Sequence, residues 1–187
     1  MEEYDLSNLD VLIVDHNPHM LSIVRTALHE LGISVLRDTN DGEKAFKTFK
    51  NKPADLIFSA WVPGRDELKF LNQVRDPENS PNPYVPIIIV TAYSEMPNVI
   101  AARDLGVTEF LAAPVSVKGI YDRICSVLKD KRPFIKEPNF FGPDRRRHNK
   151  PTFEGDEKRT KKETKTVEAE LPESGQLMNT TMNTDKR

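Results

Sequence analysis

Short apolar runs alternate with amphipathic stretches along the first two thirds of the chain. The residues VLIV at 11–14 form an aliphatic run that is too short for a helix, so they predict a strand. Apolar residues then recur at helical spacing from Met20 to Leu31, which predicts a helix. Pro18 suits the first turn of this helix, and Gly32 suits the position just after its end. The same strand-then-helix pattern recurs four more times.

The four further units complete a regular alternation of strands and helices. The predicted strands cover residues 33–36, 56–58, 87–90 and 110–111. The predicted helices run from Asp41-Gly42 to before Pro53, through 68–74, over 96–105 with Gly106 at its end, and over 116–128 with Ser116 as the N-cap. The run at 87–90 is aliphatic throughout, which predicts a strand buried on both faces. Strict alternation predicts an α/β fold with a parallel sheet and helices on both sides.

Parallel strands place their carboxyl ends at one edge of the sheet, and ligands of such sheets bind beyond that edge. We therefore expect the residues that follow four of the predicted strands to lie close together. They are Asp15 and His16 after the first strand, Ser59 and Ala60 after the third, Thr91 and Ala92 after the fourth, and Ala112 and Ala113 after the fifth. The sequence thus predicts a candidate site at this edge.

The pattern ends after Leu128, and the composition changes. Residues 131–150 form an aromatic and basic extension with several prolines, three phenylalanines and an arginine run. The phenylalanines favour docking on an apolar groove, either of the same chain or of another protein. Beyond Phe153 the Lys/Glu/Thr-rich sequence cannot bury enough apolar area to offset chain entropy, so we predict a disordered tail over 151–187.

Cysteine content and hydropathy indicate where the protein resides. The single cysteine, Cys125, lies in a helical pattern and has no partner for an internal disulfide. No run approaches the roughly 18 apolar residues of a membrane span, and the acidic N-terminal residues do not resemble a leader. We therefore expect a reduced, cytoplasmic protein without membrane contact.

Four segments resemble the successive motifs of a known family. In chain order they read VLIVDHNPHM, DLIFSAWVPGRDELKFLNQVR, PIIIVTA and GVTEFLAAPVS. Their order and spacing are similar to those of receiver domains of two-component response regulators, over residues 8–130. The resemblance implies a flavodoxin-like, doubly wound (βα)5 sheet with strand order 2-1-3-4-5. It also implies a stand-alone bacterial receiver with a short basic tail.

The resemblance implies a definite chemistry for the predicted edge. In this family an acid after the third strand takes a phosphoryl group from a phosphohistidine, and two acids after the first strand hold Mg²⁺. A Thr or Ser after the fourth strand contacts the phosphoryl oxygen, and a Lys before a Pro after the fifth neutralises its charge. A nucleophilic carboxylate, a hard divalent ion and a cation are what phosphoryl transfer to Asp requires.

Most of those groups are missing from this chain. His16 stands beside Asp15 where the family has a second acid, and Ala113 stands where it has the Lys. Thr91 is kept. Without the other groups, Mg²⁺ and phosphate have little to bind, so we predict no metal and no cofactor. Asp15 and His16 also fall short of the three or four ligands that a transition metal needs, so His16 is interpreted as a loop histidine.

The position of the missing nucleophile depends on how the third strand is aligned. Alignment from the strand side puts Ala60 there, whereas alignment from the Pro63-Gly64 side puts Ser59 there. We favour Ala60, because an acid followed by Trp is common in this family and Trp61 is present. Neither residue is a carboxylate. Asp66 matches a loop acid of the family and not the nucleophile, so we predict that the chain is not an enzyme.

Two further positions match the residues by which active receivers report phosphorylation. Thr91 matches the switch hydroxyl and Phe110 the switch aromatic on the fifth strand. Phe110 lacks a hydroxyl that would favour an exposed rotamer, so we interpret it as core. Signalling by this protein would then depend on a fixed conformation or on a partner, and not on phosphate.

Three hypotheses of function remain open from the sequence. The first is a pseudo-receiver that cannot accept phosphate and acts on protein partners, such as a sensor kinase or another response regulator. The second is an active phosphoacceptor that uses a non-standard residue. The third is a nucleic-acid-associated regulator that binds through the arginines at 145–147, although no helix-turn-helix pattern follows them. Drift at an unused surface is the alternative explanation for the lost site residues.

Overall fold

Five parallel strands form the central sheet, and a helix follows each of them. The computed structural model describes residues 4–62, 67–129, 132–137, 140–144 and 165–167. The strands are β1 (Asp10–Val14), β2 (Val35–Thr39), β3 (Leu56–Ala60), β4 (Ile87–Thr91) and β5 (Glu109–Ala112). The helices are α1 (Pro18–Glu30), α2 (Gly42–Asn51), α3 (Glu67–Arg75), α4 (Met96–Asp104) and α5 (Val117–Lys129).

The order of the strands in the sheet is β2-β1-β3-β4-β5. All four pairings are parallel, so each connection crosses over the sheet through a helix. This confirms the predicted flavodoxin-like, doubly wound (βα)5 fold. Its β4 is buried along its whole length, as the uniformly aliphatic sequence predicts.

Hydrophobic side chains form one core on each face of the sheet. The first core packs the odd-numbered residues of β4 against Phe49 of α2 and Phe70 of α3. The second packs the even-numbered residues of β4 against Leu28 of α1 and Ile120 of α5. Because side chains alternate across a strand, the same four-residue aliphatic run supplies both cores.

The predicted helix ends and caps at three positions are confirmed. Gly32, with φ of +83°, follows α1, and Gly106, with φ of +76°, follows α4. The left-handed region at these φ values favours glycine. The Ser116 hydroxyl accepts a hydrogen bond from the Gly119 N–H at 3.0 Å, which caps α5.

The second strand begins later than the sequence predicts. Residues 33–36 were expected to form it, whereas β2 begins at Val35. Ile33 belongs to the turn after α1, since its N–H donates to the Leu28 carbonyl at 3.2 Å. The strand then continues through polar residues because it lies at the sheet edge, where Arg37 Nη2 donates to Asp10 Oδ1 at 2.6 Å.

The extension after α5 contains strands that the sequence did not predict. Strands β6 (Phe134–Glu137) and β7 (Phe140–Pro143) pair antiparallel, and β8 (Lys165–Val167) pairs with the other edge of β6. The predicted disorder over 151–187 is therefore wrong at 165–167, because pairing with β6 satisfies backbone hydrogen bonds without an apolar core. The other residues of that tail, and the arginines at 145–147, lie outside the described residues. In the described chain, no helix is long and apolar enough to cross a bilayer.

Candidate functional site

The loop after β1 supplies the carboxylate of the predicted site. Asp15 is buried, and its Oδ1 accepts a hydrogen bond from the Asn17 N–H at 2.8 Å. Asn17 in turn caps α1, because its side-chain oxygen accepts from the His19 N–H at 3.0 Å. His16 lies between them, with its Nδ1 3.8 Å from Asp15 Oδ1. The cap therefore holds this loop and its carboxylate in place.

Strand β3 continues to Ala60, two residues further than predicted. Ser59 is paired with Val14 and Ala60 with Val90, so Ala60 lies at the strand end. The Ser59 side chain is 0% exposed, and its hydroxyl donates to the Ala60 carbonyl at 3.0 Å. A methyl group and a buried hydroxyl thus occupy the two positions at which the alignments place the nucleophile.

Trp61 directs the loop after β3 into the protein. Its side chain is 4% exposed and packs into the first core, together with residues of α2 and α3. The ring nitrogen has no hydrogen-bond acceptor among the described residues, so apolar packing holds the ring. The Trp61 carbonyl accepts a hydrogen bond from Thr91 Oγ1 at 2.6 Å.

Thr91 connects the loops that follow β3 and β4. Its hydroxyl donates to the Trp61 carbonyl and accepts from the Tyr93 N–H at 3.0 Å. A hydroxyl has one hydrogen to donate, and here the backbone takes it. The Thr91 side chain is buried, so in this arrangement it stabilises the edge of the sheet.

The residues after β5 complete the edge without adding charge. The Ala113 N–H donates to the Thr91 carbonyl at 2.9 Å, which aligns the two strand ends. The peptide bond between Ala113 and Pro114 is cis. Phe110 is half-buried and packs against the first core.

The structure thus brings the predicted residues to one edge, with few reactive groups among them. Within two residues of the carboxyl ends of β1, β3, β4 and β5, Asp15 is the sole carboxylate. Among the described residues, no three His, Cys, Asp or Glu side chains gather where they could hold a metal. Asp66 lies outside the described residues. The described groups can donate and accept hydrogen bonds, and they include no acid at the end of β3.

Comparison with protein families identifies the fold's relatives. Residues 11–125 match the model of the response regulator receiver domain. The chain belongs to this family. The match begins within β1, includes the other four strands of the central sheet and ends within α5 of the receiver.

Curated relatives of this receiver are longer proteins. The transcriptional regulatory protein GlrR of Escherichia coli K12 is 27% identical over 128 residues, which cover 68% of this chain and 28% of that protein. The probable transcriptional regulator ycf27 of Porphyridium aerugineum is 29% identical over 120 residues, which cover 64% of this chain and 48% of that protein. The chain therefore spans less than half the length of either relative.

Solved structures show the same fold as this receiver. The chemotaxis protein CheY4 of Vibrio cholerae has a TM-score of 0.57 at 21% identity, covering 64% of this chain and 98% of that one. The receiver domain of the sensor histidine kinase PA1611 of Pseudomonas aeruginosa, solved with a magnesium ion coordinated in its active-site cleft, has a TM-score of 0.57 at 22% identity. That match covers 65% of this chain and 98% of the PA1611 domain.

An exposed apolar patch lies next to the site of this receiver. We define the α4 patch as Tyr93, Met96 and Ile100, whose side chains are 44%, 69% and 41% exposed. These residues follow β4 directly and continue along the first turns of α4. The patch was not predicted from the sequence, although the apolar residues of α4 are not confined to one helical face, which is an available signal of an uncovered surface.

Proposed function

We propose that this receiver acts in two-component signalling as a protein interaction module that does not accept phosphate. The observation that carries the proposal is the end of β3, where Ala60 presents a methyl group and the Ser59 hydroxyl is buried. Phosphoryl transfer to a receiver requires a nucleophilic carboxylate at this end. Neither residue can supply one.

The surrounding groups support the same proposal. Mg²⁺ prefers a near-octahedral set of oxygen ligands. In this receiver, Asp15 brings a single carboxylate, and one of its oxygens already accepts the Asn17 N–H. His16 contributes a nitrogen where an acid oxygen would be required. These residues do not fit an Mg²⁺ site of the kind seen in the PA1611 receiver domain, and the function that we propose has no step through the ion.

Thr91 and Ala113 complete the support. The Thr91 hydroxyl donates to the Trp61 carbonyl at 2.6 Å, so binding a phosphoryl oxygen would require this buried bond to break. Ala113 has no charge with which to neutralise such an oxygen. An edge that is closed by its own backbone hydrogen bonds is suited to one stable conformation.

The proposed partners are proteins of the same signalling class, such as a sensor kinase or another response regulator. The α4 patch is the surface that we assign to them. Removing its three exposed apolar side chains from water lowers the free energy, and this favours the binding of a partner. Such a contact requires no change at the strand ends. The interaction would therefore be constitutive, and its regulation would depend on the abundance or state of the partner.

A phosphorylation assay tests whether the receiver accepts phosphate. The native protein is incubated with a small-molecule phosphodonor and Mg²⁺, and intact mass is measured. We expect no phosphate on the native protein and base-labile phosphate on the triple variant His16→Asp, Ala60→Asp, Ala113→Lys. The matched control replaces Ala60→Asp by Ala60→Asn, which has a similar shape and no nucleophile.

A parallel triple variant with Ser59→Asp in place of Ala60→Asp tests the other alignment of β3. Phosphate on this variant alone would assign the acceptor position to Ser59. Phosphate on an aspartate of the native protein would contradict the proposal and would favour the alternative of a non-standard acceptor.

A second experiment tests the α4 patch. Cross-linking in the native host is followed by identification of captured proteins from the two-component class. Ile100→Asp should abolish their capture because it places a charge in the apolar contact. Ala101→Asp, on the same helix and also exposed, is the matched control and should retain it. Equal capture by both variants would place the partner surface elsewhere.

A further inference from the structure

The hairpin after α5 docks near the amino ends of β4 and β5, whereas the candidate site lies at the carboxyl ends of the strands. We define the strap as the described residues 132–137 and 140–144, which contain β6 and β7. Phe134 of the strap is 6% exposed, and its ring lies 5.1 Å from the ring of Tyr84, just before β4. The Phe141 ring lies 5.4 Å from the same Tyr84 ring. An aromatic cluster therefore joins the strap to the loop that enters β4.

Arg75, the last residue of α3, lies beneath this cluster. Its Nε donates to the Gly106 carbonyl at 2.8 Å, and its Nη1 donates to the Pro83 and Val85 carbonyls at 2.8 and 2.7 Å. The guanidinium carbon is 5.4 Å from the centre of the Phe134 ring, within the range of a cation–π contact. One side chain thus connects α3, the loop before β4 and the turn after α4.

The strap covers part of the buried Arg75 side chain. The residue is 4% exposed, and burial lowers the pKa of its guanidinium to about 9, so the group remains charged at neutral pH. A buried charge is stable only when hydrogen bonds and a well-packed surface compensate for the water it has lost. Phe134 supplies part of that surface, and the three carbonyls accept hydrogen bonds from Nε and Nη1, whereas the buried Nη2 has no acceptor among the described residues.

The strap also contacts the end of α4 through its backbone. A Cβ atom added at Gly142 would lie 2.5 Å from the Gly106 Cα, and one added at Gly106 would lie 2.6 Å from the Phe141 carbonyl oxygen. Two glycines are therefore required for the backbones to approach so closely. Gly106 directly follows Leu105, the C-cap of α4.

Arg132 anchors the start of the strap to β5. It donates to the Thr108 carbonyl, and its Nη2 lies 3.5 Å from the buried carboxylate of Glu109. At the other end, the Asp144 N–H donates to the Pro133 carbonyl at 2.8 Å, which closes the strap on itself. The strap is therefore attached to the α4–β5 turn at Gly106 and again at Thr108 and Glu109.

We propose that the strap is a conformational lock that holds the C-terminal end of α4 against α3 and β4, so that its release loosens α4. Contacts of Arg75, Phe134 and Gly142 act together at one point, the Gly106 turn. The α4 patch begins at Tyr93, before the N-terminus of the same helix, and extends to Ile100 in its middle. The proposal concerns the helix itself and holds whether or not the β3 end accepts phosphate.

Hydrogen exchange of the full chain tests the lock. Gly142→Ala places a methyl group against the Gly106 backbone and should release the strap. We expect amide exchange in the strap, in α4 and in residues 105–108 to become about tenfold faster or more, with exchange in α1 unchanged as the internal reference. Lys136→Ala, at an exposed position of β6, is the matched control and should exchange like the native protein.

Phe134→Ala is the second variant, because it removes the ring without a backbone clash. Faster exchange in the strap with native exchange in α4 would overturn the coupling. Native exchange everywhere in both variants would overturn the docking itself. Equal acceleration in α1 and α4 in both variants would indicate general destabilisation and would also contradict a local lock.

Discussion

Arg75 illustrates how much a single residue contributes to the packing of this receiver. The side chain reaches three backbone carbonyls that come from two different loops. Hydrogen bonds from a charged donor contribute more than neutral ones, and the carbonyls would lose their partners if the side chain were removed. The lower pKa of the guanidinium reflects the cost of its burial. The net contribution of Arg75 to the stability of the fold is the difference between the free energy of these hydrogen bonds and the cost of burying the charge.

We expect Arg75→Met to lower the free energy of unfolding by about 2–4 kcal/mol, because three buried carbonyls lose a charged donor. Urea unfolding followed by circular dichroism measures the change. Arg103→Met, at an arginine that is 49% exposed, is the control and should change stability by less than about 0.5 kcal/mol. Equal stability of both variants would mean that the desolvation cost of Arg75 cancels its hydrogen bonds.

Asp41 gives a prediction for pH dependence. Its carboxylate caps α2 by accepting the Lys44 N–H at 2.9 Å, and this bond lowers the carboxyl pKa below its ordinary value of 3.8. A carboxyl whose pKa falls on folding stabilises the protein above 3.8, and this contribution is lost as the pH falls through the lower, folded value.

Asp41→Ala should therefore lower the melting temperature at neutral pH, and the difference from the native protein should shrink below pH 3.8. Asp41→Asn is the matched control, because it keeps a good N-cap without a titrating group. Thermal melts over a pH series measure both variants. A native–Ala difference that stays constant down to the most acidic pH would contradict the role of the ionised carboxylate.

At the scale of elements, β3 and the loop after it show how the receiver fold is held together with no acid at the end of β3. The strand is buried throughout, and Trp61 continues the burial beyond its end. The backbone carbonyl of the same residue binds Thr91, so packing and hydrogen bonding both hold the loop. This arrangement requires no acid at the end of β3.

Trp61→Ala should lower the free energy of unfolding by about 3–5 kcal/mol, because it empties a large volume in the first core. Chemical denaturation of the purified variant measures the loss. The single tryptophan of the native chain also offers a direct probe, and its fluorescence should shift to longer wavelength on unfolding. Tyr93→Ala, at an exposed ring after β4, is the control and should remain within about 0.5 kcal/mol of the native protein.

At the scale of the whole molecule, the strap makes the folded unit larger than the five strand–helix units. Its hairpin covers Arg75 and contacts the loops that enter β4 and β5. The family match ends at residue 125, before the strap begins. The edge with the candidate site and the edge with the strap lie at opposite ends of the same strands.

A chain ending after Asp144 should be more stable than one ending after Lys129, by about 3 kcal/mol or more. The shorter chain exposes Arg75 and Tyr84 and loses the burial of Phe134. Urea denaturation of the two chains measures the difference, and the full chain serves as the reference. Equal stability of the two shortened chains would mean that the strap adds no net stability.

The sequence predicted the local order of the fold and the chemical content of the site. Hydrophobic periodicity located the strand–helix units, and glycines and a serine marked helix ends at Gly32, Gly106 and Ser116. The residue types at the strand ends, with Ala60 and Ala113 in place of charged groups, can be read directly from the sequence without coordinates. These features are local, since each depends on residues within one or two turns of each other.

The tertiary structure decided which groups meet across long distances in the chain. The hydrogen bond between Thr91 and Trp61, the burial of Arg75 and the contact of Gly106 with Gly142 each join residues far apart in sequence. Periodicity reports that a side chain is buried, but it does not report its partner. The strap lacks a long apolar pattern, and its docking depends on a surface that only the folded receiver provides.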